Sequence, residues 1–540
     1  MTKWLAVTFR RIFAAVLALL QTVLGLTGLR VDLSGVKTAD SEISYSFTYA
    51  TEKTYKKDFI ADNSDFTIRL AKNEREACQL ILHNTGKEEK KVHIEISEFK
   101  NGDASLPCSL FEVRYIPYNI SLISKVEYPD ALVPYYGAEL LIEPHENLPI
   151  YIEVRSDKDT PAGSYSASVS IFDGDKKLET NAAVTADVWD FTLPDKPSCE
   201  TAFGAYSNSL FNLNGVVDTT SGGNGITGKP NADKLYKQYY DFLLDRKISS
   251  YRLPYGMLSK EAEEYMSDER VTSFTIPYSE NDEALQRIYE HVTENEEWAS
   301  KAYYYPIDEP QDPEAYERYE QITERLGRLC PGYHMVTPFN VANVTINGKI
   351  QSSVALQDGK SDIMCPVSDV FASRSVRAKM AERAKNGDKA WWYVCCRPVG
   401  DYCNLHMCND GLCPRILLWQ QKSYDITGLL YWSTVFWDRC GNPWTNAKTW
   451  NSTAPGDGSL VYPGRYIGID APIASIRLET LTNGIEDYEY LTIAEKLLGR
   501  DYVDSVISKV TKGLTVYTSS DKLFDSVRAQ LGNAVEEASE

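Results

Sequence analysis

A chain of 540 residues, 43% of them hydrophobic and 24% charged, is long enough for two or three packed domains, one of barrel size. Its formal net charge of −20 argues against nucleic acid as a partner, because phosphate binding needs clustered Lys and Arg. Thirty-five Tyr and ten Trp supply flat apolar faces with a polar edge, which suit sugar rings as well as ordinary cores.

The first thirty residues differ from the rest of the chain. Lys3, Arg10 and Arg11 precede an apolar stretch from Ile12 to Leu29, which Arg30 and Asp32 end. This pattern predicts an export segment at 1–30. Its length is near the lower limit for a spanning helix and no clear Ala-x-Ala site comes after it, so a cleaved signal peptide and an uncleaved membrane anchor through residues 12–29 both stay open, with an amphipathic helix packed on the domain as a third reading. The positive charges keep the N-terminal end cytoplasmic. An exported protein is expected, secreted or held on the outer face of the cell membrane.

From 41 to 197 the pattern is all-β. Short alternating runs such as Ile43 to Tyr49, Phe66 to Leu70, Cys78 to His83, Lys91 to Ile96, Ile150 to Val154, Ser164 to Phe172 and Ala182 to Val188 are separated by turn clusters such as Asn101-Gly102-Asp103. Strands at this spacing predict a β-sandwich. The segment Leu193-Pro194-Asp195-Lys196-Pro197 reads as the linker that ends it.

From 198 to 470 apolar runs alternate with helical ones. Eight candidate strands are Thr201 to Tyr206, Ile248 to Leu253, Thr272 to Pro277, Ala302 to Ile307, Tyr333 to Pro338, Asp362 to Pro366, Lys389 to Cys395 and Ile426 to Ser433. The clearest helices between them are Ala232 to Asp245, Glu283 to Trp298, Pro313 to Leu329 and Ser375 to Lys385. Eight strand–helix repeats predict a (β/α)8 barrel of the TIM type. A long loop with Trp437, Trp444 and Trp450 comes after the eighth strand, and then helical patterns fill a C-terminal segment, 471–540, that packs on the barrel. The predicted fold class is therefore multidomain, β followed by α/β.

Asp308 and Glu309 close the fourth of these strands, and Pro310 stands directly after them. Neighbours on a strand point to opposite faces, so two adjacent acids share a site only where the strand is ending, as at the C-terminal mouth of a barrel. Most glycoside hydrolases hold two carboxylates across the sugar at about 5 Å or more. Adjacent acids fit that opposed geometry poorly. They fit better the substrate-assisted variant, in which the 2-acetamido oxygen of the sugar attacks its own anomeric carbon while the protein supplies an orienting Asp and an acid Glu.

Cys395, Cys396, Cys403, Cys408 and Cys413 crowd into one segment with His406, while the other six Cys are scattered. The segment lacks the paired C-x-x-C spacing of structural zinc sites. Disulfides or free thiols are expected ahead of a metal, and no metal or other cofactor is called for.

The run Gly456-Asp457-Gly458 through Tyr462-Pro463-Gly464, followed by Pro472 to Glu479 and Asn483 to Leu491, resembles the C-terminal signature of glycoside hydrolase family 123 and its wider relatives, the domain of unknown function 4091. Trp391-Trp392-Tyr393, Tyr431-Trp432-Ser433 and Asp308-Glu309-Pro310 resemble the same family's strand-end motifs, in the same order. The resemblance implies an N-terminal β-sandwich, a catalytic (β/α)8 barrel and an N-acetyl-β-galactosaminidase-type activity. It also implies that Asp308 orients the acetamido group and that Glu309 is the general acid/base. The expected reaction is removal of a terminal N-acetylhexosamine from a glycan or glycoconjugate, with configuration retained. Glu309 then needs a raised pKa, from burial beside aromatic walls and from the charge of Asp308.

Other residues at predicted strand ends are candidate substrate ligands. Tyr393 is placed to bond the acetamido oxygen, Trp432 or Trp437 to floor the sugar ring, and Arg252, Asn340 and Asp369 to bind hydroxyls. The acids Glu479, Glu486, Asp487 and Glu489 are expected to cap, pair and hold the tail to the barrel. Asn483 stands where the resemblance leads one to expect a charge, and is expected to alter a surface pair only. Two other readings stay open: a carbohydrate-binding surface protein without turnover, and a retaining glycosidase with an ordinary nucleophile such as Asp369.

Overall fold

The computed structural model describes residues 35–120, 125–215, 230–438, 440–448 and 453–540. The predicted export segment and Trp450 lie outside the described residues.

Two sheets enclose one core in the N-terminal region. The first runs Val36–Lys37, Ile43–Tyr49, Arg75–Asn84, Asn147–Arg155, Cys108–Asn119, Lys125–Pro134, antiparallel throughout. The second is built on Leu140–Ile142, Lys90–Ile96, Gly163–Asp173, Ala183–Thr192 and Asp65–Lys72, the last two strands being parallel. Phe47, Leu80, Leu82 and Ile150 from the first meet Ile68, Ile94, Tyr165 and Val184 from the second. The strand Gly163–Asp173 shows why. Tyr165, Ala167, Val169 and Ile171 turn inward while Ser164, Ser166 and Ser168 do not, the period-2 pattern of a sheet wet on one face. Arg75–Asn84 has no such alternation and is almost wholly buried, because its other face is covered by the C-terminal helix Ile476–Leu498: Ala77 packs with Ile476.

The second half holds a five-stranded parallel sheet in the order Glu200–Phe203, Gly428–Tyr431, Lys389–Val394, Ile363–Pro366, Val336–Phe339. The short strands Phe274–Thr275 and Ala302–Tyr303 pair separately, also in parallel. Among the described residues the eight strands expected from the sequence do not form one unbroken barrel sheet. Single bridges join Tyr304 to Met335 and Phe203 to Ser250, and the Thr275 N–H donates to the Tyr251 carbonyl at 2.7 Å. Around residue 250 the reason is chemical. The Ser249 N–H donates to Thr201 Oγ1, the Thr272 N–H to Ser249 Oγ, and the Thr201 N–H to Thr272 Oγ1, so three buried hydroxyls take backbone bonds that a ladder would otherwise make.

The helical stretch expected over Glu283 to Trp298 is two helices, Asp282–Thr293 and Glu296–Lys301. Asn295 divides them by accepting from the N–H groups of Glu297 and Trp298. The connection after Val336–Phe339 is a hairpin, Asn343–Ile346 with Lys349–Ser352, before a single helical turn.

Helix Ile476–Leu498 lies between the β region, helix Cys413–Ser423 and helix Asp521–Ser539, and is buried on all sides over its first four turns. Its acids are paired. Glu479 meets Arg246 and Arg75, Glu486 meets Lys247, and Asp487 accepts from Arg415, Arg528 and Trp419. Glu74 and Glu76 of the β region engage Arg528 and Arg415 in the same cluster. Asn483, expected at the surface, is 2% exposed and donates to the Arg75 carbonyl at 2.9 Å. It ties the helix to the β region.

Candidate active site

Ala302–Tyr303 ends in Tyr304-Tyr305-Pro306-Ile307, and the backbone then leaves the extended conformation. Glu309 has φ +42°, a left-handed setting that non-glycine residues adopt only when their surroundings hold them there. The turn removes the objection that adjacent strand residues face opposite ways, so both acids can serve one mouth.

Glu309 is clasped from two other strand ends. The Tyr393 hydroxyl, on Lys389–Val394, donates to Oε1, and Asn340 Nδ2, just past Val336–Phe339, donates to Oε2. Asn340 Oδ1 accepts in turn from Gln311 Nε2 at 2.8 Å. Burial raises the Glu309 carboxyl above its ordinary range, and the Asp308 charge adds to this, while Tyr393, Arg397 and Asn340 oppose it. Asp308 accepts from the Tyr305 hydroxyl at 2.9 Å. The residue is exposed, yet the protein atoms packed near its carboxyl displace enough water to raise it as well, against the Tyr305 bond. Two neighbouring carboxyls held above their usual range, one of them doubly hydrogen-bonded, form a site equipped for proton transfer.

The structure redistributes the expected ligands. The hydroxyl of Tyr393 is committed to Glu309 rather than left for an acetamido oxygen, and both ends of the Asn340 amide are occupied, so Asn340 is a clamp on Glu309 and not a free hydroxyl ligand. Asp369 is held by Arg397, whose Nε and Nη2 both donate to Oδ2 at 3.1 and 2.8 Å, while its Oδ1 is shut off from solvent. That geometry leaves neither oxygen of Asp369 open to solvent-side contact except beside Arg397. Arg397 Nη1 also donates to the Asn340 carbonyl. Trp437 is 1% exposed, with its indole N–H on Ser459 and the Val461 carbonyl, so it belongs to the core and not to the floor of a sugar site. Trp432 is half-buried, its ring tilted against Phe436 at 4.8 Å and its N–H given to Asp457. Arg252 is exposed, its guanidinium 4.2 Å over the Tyr206 ring.

Gln311, Arg397, Tyr305 and Asp457 were not singled out by the sequence as site residues. Gln311 comes two positions after the acid pair and Arg397 four after Tyr393, but nothing local distinguishes them from surface polar residues. The Cys-rich segment is held by polar bonds: Asn404 Nδ2 donates to the carbonyls of Cys395 and Pro398, and His406 Nε2 meets the Cys395 carbonyl. Among the described residues no disulfide joins any of the eleven cysteines. Among the described residues no group of His, Cys, Asp and Glu is arranged to hold a metal ion.

Residues 232–494 match the family model described as glycoside hydrolase 123, catalytic domain. No curated protein matches the chain. Among solved structures, a family 123 glycoside hydrolase from Clostridium perfringens, described in terms of glycolipid glycan hydrolysis, aligns with a TM-score of 0.68 at 13% identity, over 92% of this chain and 97% of its own. That likeness is one of fold. A β-glucuronidase from Bacteroides uniformis aligns with a TM-score of 0.26 at 9% identity, over 73% of this chain and 47% of its own, too loosely to carry an argument.

Proposed function

From a chain that carries a glycoside hydrolase family 123 catalytic domain at residues 232–494, we propose an exported hydrolase that removes a terminal N-acetylhexosamine, of the N-acetyl-β-galactosaminide type, with the substrate's own acetamido group as nucleophile. The observation that carries this reading is the left-handed turn at Glu309, which frees two sequence-adjacent carboxyls from the opposed facing of a strand and leaves Glu309 within the influence of the Asp308 charge. The other strand-end acid in reach of a nucleophile's role, Asp369, is spoken for by Arg397. Glu309 in its acid form protonates the glycosidic oxygen. Asp308, ionised, accepts a hydrogen bond from the acetamido N–H and stabilises the positive charge that develops on the oxazolinium-like intermediate. Water then attacks the anomeric carbon, Glu309 acts as the base, and configuration is retained. Trp432 supplies the apolar floor under the ring. The two bridges and the Thr275–Tyr251 bond, which continue the parallel order on both sides of the five-stranded sheet, support a (β/α)8 reading of this half.

The test compares aryl β-glycosides of N-acetylgalactosamine, N-acetylglucosamine and galactose, using the protein without residues 1–30, with Glu309→Gln and Asp308→Asn as controls. Turnover of the acetamido sugars alone, lost in both variants, is the expected result. Equal turnover of the galactoside would rule out acetamido participation, and saturable binding without product would make the protein a carbohydrate binder. Export is tested separately, by locating the full-length chain in cell fractions.

A further inference from the structure

We propose that Asp457 is a positioning residue for the sugar platform: it fixes the indole of Trp432 from a turn whose flanking carbonyls Arg477 ties to Asp130 of the β region. The inference rests on the reading of Trp432 as the floor of the sugar site. Asp457 is 0% exposed, and its Oδ1 accepts from Trp432 Nε1 at 3.1 Å and from the Tyr431 hydroxyl at 3.2 Å. It occupies the middle of a turn between Gly456 and Gly458, whose φ values are +77° and +72°. A Cβ at 458 would stand 2.3 Å from the Trp432 ring, so glycine is needed for the turn to lie flat on the indole.

The same strand end is joined to the acid pair. The Tyr251 hydroxyl donates to the Tyr431 carbonyl at 3.2 Å, its ring meets Tyr305 edge-on at 5.7 Å, and Tyr305 bonds Asp308. On the other side, Arg477 donates to the carbonyls of Gly456 and Ser459, which flank Asp457, and to that of Leu405. Its remaining donors go to the two oxygens of Asp130 at 2.8 and 2.9 Å.

Packing alone does not call for an acid here, since a buried charge is costly beside a neutral side chain of the same size. Trp437 and Trp444 in the same loop satisfy their N–H groups with the carbonyls of Val461 and Pro463, whereas Trp432 uses a carboxylate. A charge-assisted bond holds the ring more firmly. It also enriches the electron density of its face, which favours a sugar acquiring positive charge.

Asp457→Asn, which keeps the shape, is expected to raise KM for the aryl N-acetylgalactosaminide about tenfold with kcat changed less than threefold and the pH profile set by Glu309 unmoved. In a Trp432→Phe background, which lacks the indole N–H, the same substitution is expected to change KM less than twofold. An equal effect in both backgrounds would overturn the proposal. Should Asp457→Asn not fold, Trp432→Phe alone, which leaves the turn intact, is expected to raise KM, and a wild-type KM would overturn the proposal. Trp432→Ala with unchanged KM would instead remove the platform reading itself.

Discussion

Glu309 is held in a left-handed backbone setting that costs on the order of 1–3 kcal/mol for a residue with a side chain, and its carboxyl is held above its ordinary range by burial. A folded-state pKa raised in this way gives this one group a contribution to stability that is full at low pH and is lost as pH rises through that value. Glu309→Gln, which carries no charge, is therefore expected to raise the thermal midpoint at pH 7 and leave it unchanged at pH 4, while lowering kcat about 10²–10⁴-fold as the acid is lost. The bond from Tyr393 favours the ionised form. Its removal in Tyr393→Phe is expected to carry the alkaline limb of kcat/KM to higher pH, because Glu309 then keeps its proton further. An unmoved limb would show that the hydroxyl plays no part in setting this acidity. The acid pair stood out in the sequence only beside the longer C-terminal signature, since a charged pair before Pro is by itself more often a solvated turn or a helix start. The clamp of Gln311, Asn340 and Arg397 did not stand out, because its members come from different strand ends and meet only through the sheet order.

At the scale of elements, alternation in the β region and the periodic helices Pro313–Leu329 and Asp521–Ser539 could be read from local sequence. The run Ile248 to Leu253 read as a strand and is not one, because Thr201, Ser249 and Thr272 place accepting hydroxyls where a ladder would place carbonyls. Hydroxyls have no apolar period to betray that exchange. Thr201→Val removes the acceptor of the Ser249 N–H at nearly the same volume, and is expected to cost about 1–3 kcal/mol for the stranded donor, read as a lower midpoint in urea. A shift within a few tenths of a kcal/mol would show that the amide finds another partner. Asn295 hid a second boundary, since the apolar positions on either side of it continue one helical pattern across a cap.

For the whole molecule, the Pro-rich linker near residue 197 suggested two independent units, yet the charges cross that line. Glu74, Glu76 and Asp130 of the β region neutralise Arg528, Arg415 and Arg477, all six side chains being buried. Expressed alone, residues 198–540 would leave Arg477 without its carboxylate and Arg415 and Arg528 sharing Asp487 alone, at about 3–5 kcal/mol for each buried pair broken. Such a fragment is expected to lack a cooperative melt and to be cleaved rapidly by protease. A fragment that melts cooperatively and hydrolyses substrate would show that the β region is dispensable. The same arrangement sets a timetable. Glu74 and Arg528 are 454 positions apart, and a ribosome adding about 5–20 residues per second takes roughly 23 to 90 seconds to span them. During that interval the early carboxylates wait without their partners. The interface between the two halves closes only when the last helix has been made, so a chain that stops short of its C-terminus is left with its middle open.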